Sequence, residues 1–283
     1  MTGWRLRVVH HTGYRYRGDV HASYNEARLT PADTASQRVT EHRIDVRPGA
    51  ALTRYRDYWG TWVHSFDLNR VHRELSVSGS SVVETGLDGD RPPPAITWAD
   101  LRSEDVQDQW CEFLSSTTYT APAEPVLAVG AELGPGATPR DSVERVCGWI
   151  HEHMEYEPGS TTVTTTAREA LRARRGVCQD FAHLALTLVR SLGVPARYTS
   201  GYLHPADADA AVGTVIAGES HAWIEAWLGE WVPFDPTSGS DVGPRHVVVA
   251  HGRDYGDVPP LKGLYHGSGA DALDVTVELT RLA

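Results

Sequence analysis

Three residue types that can share one nucleophilic reaction stand in order within 58 residues of one another: Cys178 in "RRGVCQDFAHLAL", His221 in "ESHAWIEAWL" and Asp235 in "EWVPFDPTSG". A thiol near neutral pH is only slightly ionised, so a working cysteine needs a field or a base to take its proton. Cys178 follows Gly176-Val177 and opens an apolar run at helical spacing. That places its sulfur at a helix N-terminus, where free backbone N–H groups and the helix dipole favour an anion. Arg174 and Arg175 stand just upstream and add to the positive field. The plainer alternative is a small buried residue that happens to begin a helix, since free cysteine is among the most buried residue types. Cys111 and Cys147, each beside aromatic or apolar helix residues, are read in that plainer way, as core residues.

His221 opens one strand and Asp235 ends the next, so a hairpin makes them neighbours. An imidazole there takes a thiol proton through one nitrogen while a carboxylate orients the other. The register decides whether this works. A two-residue turn at Gly229-Glu230 sets the two side chains on opposite faces, because faces swap with a one-residue slip. A three-residue loop, Leu228 to Glu230, instead puts Asp235 opposite Trp223 and diagonal to His221, roughly 7–8 Å away along the backbone and within side-chain reach. Gly229 permits that loop, and Pro233 favours a bulge or an edge strand. The longer loop or a bulge is the expectation, since a regular two-residue hairpin would separate the two side chains.

Three blocks, "GVCQDFAHLALTLVRSLGVPARYTSGYL", "SHAWIEAWL" and "WVPFDPTSG", resemble in order and spacing the bacterial transglutaminase-like proteins, a branch of the papain-like cysteine enzymes. The upstream "MEYEPGSTTVTTTAREAL" is similar to the family's approach to its cysteine. "YRYRGDVHASYNEARLTP" and "DYWGTWVHSFDL" are similar to the β-rich region that often precedes this core. The resemblance implies Cys178 as nucleophile, His221 as base and Asp235 as orienting acid, without cofactor or metal. Tyr156, Gln179 and Trp223 are the candidates for an oxyanion donor or groove wall, beside backbone N–H groups at the Cys178 helix start. Asp180 matches the acidic residue that the family commonly has two positions after the cysteine, and is read as a structural charge at the helix start.

The chemistry implied is acyl transfer. A Cys178 thiolate attacks an amide carbonyl of a peptide or protein substrate, an amine leaves with a proton from His221, and the thioester passes to water or to a second amine. Water makes a protease or amidase, which is the reading adopted; an amine makes a protein-glutamine gamma-glutamyltransferase. A non-catalytic interaction module is the alternative from another class.

The elements that must position these groups follow two textures. From Trp4 to about Val83 the chain alternates apolar and polar residues between turn signals, as short strands of an all-β, sandwich-like domain do. "GLDGDRPPPA" then reads as a linker. Beyond it, "RSEDVQDQWCEFL", "RDSVERVCGWIHEHM" and the Cys178 segment carry apolar stripes at helical spacing, followed by strands in "ARYTSGYL", "HAWIEAWL" and "EWVPFDPT". The expectation is an α+β protein: a β-rich domain over residues 1–95, a papain-like core over 96–255 with the cysteine helix packed on an antiparallel sheet, and a tail over 256–283 ending in a strand.

Bulk properties narrow the class. A net charge of −11 without a basic stripe argues against nucleic acid. The longest apolar stretches fall short of the ~20 residues that span a bilayer, and the first residues lack the apolar run of a secretion signal. Three cysteines make no disulfide framework, so the expected compartment is the cytoplasm and no membrane partner is expected. His151 and His153 lack metal-site spacing and read as solvated. His183, one turn past Cys178, reads as packing or solvated. Asp207 and Asp209 lack the pattern of a calcium loop, and their Ala/Gly/Asp stretch reads as a mobile loop beside the site. Trp223, Trp227 and Trp231 read mainly as core.

Overall fold

The structure, a computed structural model, describes residues 3–87, 95–205 and 211–283. Most of the expected linker, and Asp207 and Asp209, lie outside the described residues. Among the described residues, fourteen strands and seven helices are arranged as an α+β protein. The first five strands are β1 (Trp4–Ala27), β2 (Gln37–Arg47), β3 (Thr53–Arg56), β4 (Trp62–Leu68) and β5 (His72–Thr85). Helices α1 (Trp98–Leu101), α2 (Glu104–Gln109), α3 (Cys111–Leu114), α4 (Val126–Leu133) and α5 (Pro139–His153) follow. Then come β6 (Glu155–Tyr156), α6 (Ala167–Ala173), β7 (Arg175–Gly176) and α7 (Cys178–Ser191). The chain closes with β8 (Ala196–Leu203), β9 (Val215–Gly218), β10 (Ser220–Trp227), β11 (Trp231–Phe234), β12 (His246–Gly252), β13 (Leu261–Gly267) and β14 (Ala270–Arg281).

The alternation seen in the first 83 residues builds a long strand rather than several short ones. Along β1, Trp4, Leu6, Val8, His10 and Thr12 point inward while their neighbours face out. Its first half lies between β5 and β14, and its second half between β4 and β13. The sheet bends there around a small core that includes Tyr16, Val20, Phe66 and Leu75. The tail thus has a place: β13 and β14 complete the first sheet, and β14 joins β1 to β9 in the order β2-β5-β1-β14-β9. Trp4, Leu6 and Val8 also share one apolar cluster with the helices and with Leu279. The N-terminal and C-terminal segments are therefore packed against the cysteine core.

Within the core, α5 begins at a capping box, Thr138 with Asp141, with Pro139 in its first turn. The central helix is α7, buried from Gln179 to Arg190. Its Phe181, Leu184 and Leu188 are fully buried in the core cluster, each such burial contributing ~1.5–3 kcal/mol, and the second sheet has the order β11-β10-β8-β12. His183 is turned into this core, where its Nε2 accepts the Tyr255 N–H at 3.2 Å and its ring stacks on Tyr119.

Two expectations require correction. "RSEDVQDQWCEFL" is not one helix: the chain breaks at Trp110 (φ −117°, ψ 20°) into α2 and α3. In consequence Cys111 begins a short surface helix and is exposed, and Phe113 takes the buried place. Cys147 is buried as expected.

The first region also grips the second sheet directly. The Gln37 side chain acts as a strand fragment: its amide donates to the Val248 carbonyl at 2.8 Å and its oxygen accepts the Val248 N–H at 2.8 Å. Ala32 N–H donates to the same carbonyl at 3.0 Å, and the Thr85 hydroxyl donates to the Pro244 carbonyl at 2.6 Å. His10 in β1 is hydrogen-bonded to the Tyr202 hydroxyl of β8 at 2.9 Å. Strand β12 is thereby held from both sides.

Candidate active site

Cys178 is the first residue of α7 and remains partly accessible. Two short parallel strands bring it to the surface: Tyr156 in β6 pairs with Gly176 in β7. A side chain at Gly176 would lie 2.7 Å from Asp180 Cβ, so glycine is required for this approach. Asp180 Oδ2 accepts the Val177 N–H at 2.8 Å and the Thr161 hydroxyl at 2.6 Å. The acid two residues past the cysteine thus fixes the entry of the chain into the helix, a structural task. Burial pushes its carboxyl up from the ordinary value. The Cys178 thiol points at the Ser220 carbonyl, 4.0 Å away, and lies near enough to the next residue, His221, to help raise its pKa.

The hairpin adopts the longer loop. Trp227 pairs with Trp231, leaving Leu228 to Glu230 as the connection, and Gly229 holds a positive φ of 93°. Ile224 pairs with Phe234, so Asp235 follows opposite Trp223. Pro233 lies on β11, the edge strand of its sheet. His221 then donates Nε2–H to Asp235 Oδ2 at 2.8 Å, which leaves Nδ1 for the thiol. Asp235 is buried in a cradle built by the turn after it: Oδ1 accepts the Thr237 and Ser238 N–H groups at 2.9 and 3.3 Å, and Oδ2 accepts the Ser238 hydroxyl at 2.7 Å.

These contacts set the charges. Burial alone would raise the Asp235 carboxyl, but hydrogen bonds from His221 and Ser238, with the His246 imidazole close by, outweigh it and hold the group well below the usual carboxylate range. Burial likewise works against a charged His221, yet its bond to Asp235 and the nearby Cys178 raise its pKa well above the ordinary imidazole value. The pair is built to carry an imidazolium beside a carboxylate.

His246, which sequence reasoning passed over, is the second imidazole on Asp235. It opens β12, is buried, and its Nε2 lies 3.5 Å from Asp235 Oδ2. Its Nδ1 accepts the Gly243 N–H at 3.2 Å, so in the neutral ring the proton sits on Nε2, facing the carboxylate. Trp223 completes the frame: its ring lies 5.9 Å from that of His221 and meets that of His246 edge-on at 5.3 Å. The signal that marked His246 was the short continuous apolar run in "RHVVVAHG", a buried-strand pattern headed by a histidine. Among the described residues, His221, Asp235 and His246 are also the group whose ligand atoms, all within 4.8 Å, have the composition of a metal site. The protons on both Nε2 atoms face Asp235, so an ion there must displace them.

The other sequence candidates separate. Tyr156 lies beside Cys178 on the wall of a groove of about 390 Å³, with Leu203, Ala217, Glu219, His221 and Ser238. Partial burial and the neighbouring Cys178 and Glu219 push its hydroxyl up to about 12, so it remains a donor. Gln179 is engaged elsewhere, its amide donating to the Val163 carbonyl at 3.2 Å. Trp223 is fully buried behind His221 and does not line the groove. The adjacent strand makes room for it at Gly201, where a Cβ would lie 2.7 Å from the indole. His151 and His153 are exposed and each bonds a carbonyl, of Thr237 and Trp149 respectively.

Comparison with known proteins agrees with this architecture. Residues 128–236 match the transglutaminase-like superfamily, and residues 6–84 match the bacterial transglutaminase-like N-terminal region. The chain belongs to the transglutaminase-like superfamily. Among similar proteins of this kind, the uncharacterized protein ML0607 of Mycobacterium leprae is 48% identical over 281 residues, covering 99% of this chain and 100% of its own. The uncharacterized protein Rv2569c of Mycobacterium tuberculosis is 35% identical over 299 residues, covering 97% and 92%. Among solved structures, a candidate cysteine protease from Cytophaga hutchinsonii superposes with a TM-score of 0.79 at 22% identity, over 100% of this chain and 92% of that one, and so shares the fold. No helix among the described residues of this transglutaminase-like protein is long and apolar enough to cross a membrane.

Proposed function

We propose that the protein is a cysteine-dependent acyl-transfer enzyme that hydrolyses an amide bond of a peptide or protein substrate. The observation that carries this reading is the imidazole of His221, hydrogen-bonded through Nε2 to the buried Asp235 with Nδ1 left for the partly accessible Cys178, on the wall of a groove. His221 takes the thiol proton, and the Cys178 sulfur forms a bond to the amide carbon. The carbonyl oxygen becomes an oxyanion within reach of N–H groups at the α7 start and of the Tyr156 hydroxyl. The tetrahedral intermediate then collapses: the C–N bond breaks, the amine leaves with the proton held by His221, and a thioester remains. Water, deprotonated by His221, attacks that thioester and frees the acid and the thiol. Asp235 keeps the ring oriented and offsets the positive charge that His221 carries in between.

Hydrolysis is favoured over transfer to an amine by the form of the site. Tyr156, Glu219 and Ser220 on its wall are all exposed, so water reaches the thioester freely. The free cysteines fit a reducing, cytoplasmic setting. The test is iodoacetamide labelling followed by mass spectrometry. Cys178 should react at least tenfold faster than Cys111, which is exposed but lacks a partnered imidazole. Equal slow labelling of Cys178 and Cys111 removes the nucleophile and favours a non-catalytic interaction module.

A further inference from the structure

Glu219 is a carboxylate on the wall of the groove and, with His221, accounts for the ionisable side chains there apart from Tyr156. It is exposed, and its contact is the Tyr156 hydroxyl, which donates at 3.5 Å. No cationic side chain among the described residues pairs with it. Its position is set by the backbone: it joins β9 to β10, and the next residue, Ser220, presents its carbonyl 4.0 Å from the Cys178 sulfur. Strand β9 ends the first sheet, bonded to β14 on one side, and no strand covers its other edge among the described residues. Ala217 and Gly218 of that strand line the same groove.

We infer that the acyl donor is an extended peptide carrying a basic side chain beside the attacked carbonyl, with Glu219 as its counter-charge. This rests on the proposed role of Cys178. A peptide laid along the open edge of β9 advances about 3.3 Å per residue. The residue whose carbonyl meets the thiol, or its neighbour, then has its side chain at Glu219. The wider charge distribution points the same way. Residues 1–84 hold twelve Lys and Arg against nine Asp and Glu, whereas residues 85–283 hold fourteen against twenty-eight. The catalytic portion therefore draws cations and repels acidic peptides.

Peptidyl chloromethyl ketones test this directly, because they lose chloride as the thiol sulfur is alkylated and so report docking without turnover. Three tripeptide ketones, alike except for lysine, norleucine or glutamate at the ketone-bearing residue, are reacted with the full chain, and the rate at Cys178 is read by mass spectrometry. The lysine probe should react about fivefold or more faster than norleucine, as a partly exposed ion pair allows, and glutamate should be slowest. The lysine-to-norleucine ratio should fall toward one in Glu219→Gln and the order should reverse in Glu219→Arg. Raising ionic strength should narrow the ratio in the unmodified protein. Equal rates for the three probes, with Cys178 still alkylated by iodoacetamide faster than Cys111, overturn the inference and leave the nucleophile in place. A lysine preference that survives in Glu219→Gln and Glu219→Arg also overturns it. Iodoacetamide labelling of Cys178 no faster than Cys111 overturns both readings together.

Discussion

Glu225 and Asp235 share one face of the β10–β11 hairpin, and both are buried carboxylates ringed by cationic or imidazole donors. Glu225 accepts Arg197 Nε–H at 2.9 Å and His251 Nε2–H at 3.1 Å; Asp235 accepts His221 at 2.8 Å and lies 3.5 Å from His246. Both are held below the usual carboxylate range, Glu225 to about 2, although burial opposes this in each. The difference lies in what stands beyond the donors. Arg197 is covered by the Trp231 ring at 4.3 Å, and that ring packs against Trp110 and Phe113. His221 faces a thiol and a groove instead. A shifted pKa in a buried network is therefore common to a structural site and a candidate active site, and only the accessible nucleophile tells them apart.

The sharpest way to break this comparison is at its two ends. Cys178→Ala should abolish amide hydrolysis, a loss of ~10³-fold or more, while leaving the melting temperature nearly unchanged. Asp235→Asn should slow turnover by about 10²–10⁴-fold, because the orienting carboxylate no longer holds the ring for its proton transfer. Activity at a comparable level in that variant would leave Asp235 as no more than a second Glu225.

His246 sharpens the same contrast from the side of the active carboxylate. His246→Leu should reduce turnover by about tenfold and change the pH profile of Cys178 alkylation, since Asp235 loses a facing donor. His246→Gln, whose amide nitrogen reaches the place of Nε2, should recover part of the rate. A shift in melting temperature with an unmoved pH profile would make His246 a packing residue only.

Glu225 should show the opposite balance. Glu225→Leu leaves the half-buried Arg197 without its partner and should destabilise by about 3 kcal/mol in urea unfolding, with turnover within about threefold. The acid limb of stability should fall in two windows. The Glu225 carboxyl ordinarily ionises near 4.5 and is held near 2, so its stabilisation is complete above pH 4.5 and lost as pH falls toward 2. Burial holds His10 near 4 against an ordinary 6.5, so the unfolded chain takes that proton first and stability declines as pH falls from 6.5 toward 4. Urea midpoints measured against pH should show both declines, and Glu225→Gln should flatten the lower one.

The legible part of the site was local. Cys178, His221 and Asp235 lie in compact blocks, and Gly229 with Pro233 allowed the longer loop or a bulge, of which the structure takes the loop that brings the last two together. What escaped depended on distant partners. Trp223 looked like a groove wall until Gly201 on the next strand showed where its indole goes. His246 reaches Asp235 only because β12 lies against β8 and is clasped by Gln37, more than two hundred residues earlier. The pairing of β14 with β1 was likewise invisible, since alternation shows a strand but not its neighbour. Cys111 failed for a smaller reason: one residue, Trp110, interrupts a helical pattern that continues in sequence on both sides.

The insertion of β14 between β1 and β9 has a consequence for how the protein is made. Strands β1 and β14 are far apart in sequence, so β9, which frames the groove and pairs among the described residues with β14, has no partner strand there until β14 has been synthesised. A nascent chain that already contains its thiol, imidazole and carboxylate would thus still lack the wall against which a substrate is held. Until β14 is in place the groove lacks one of its walls, so the site is completed by long-range pairing and not by the local blocks that carry its side chains.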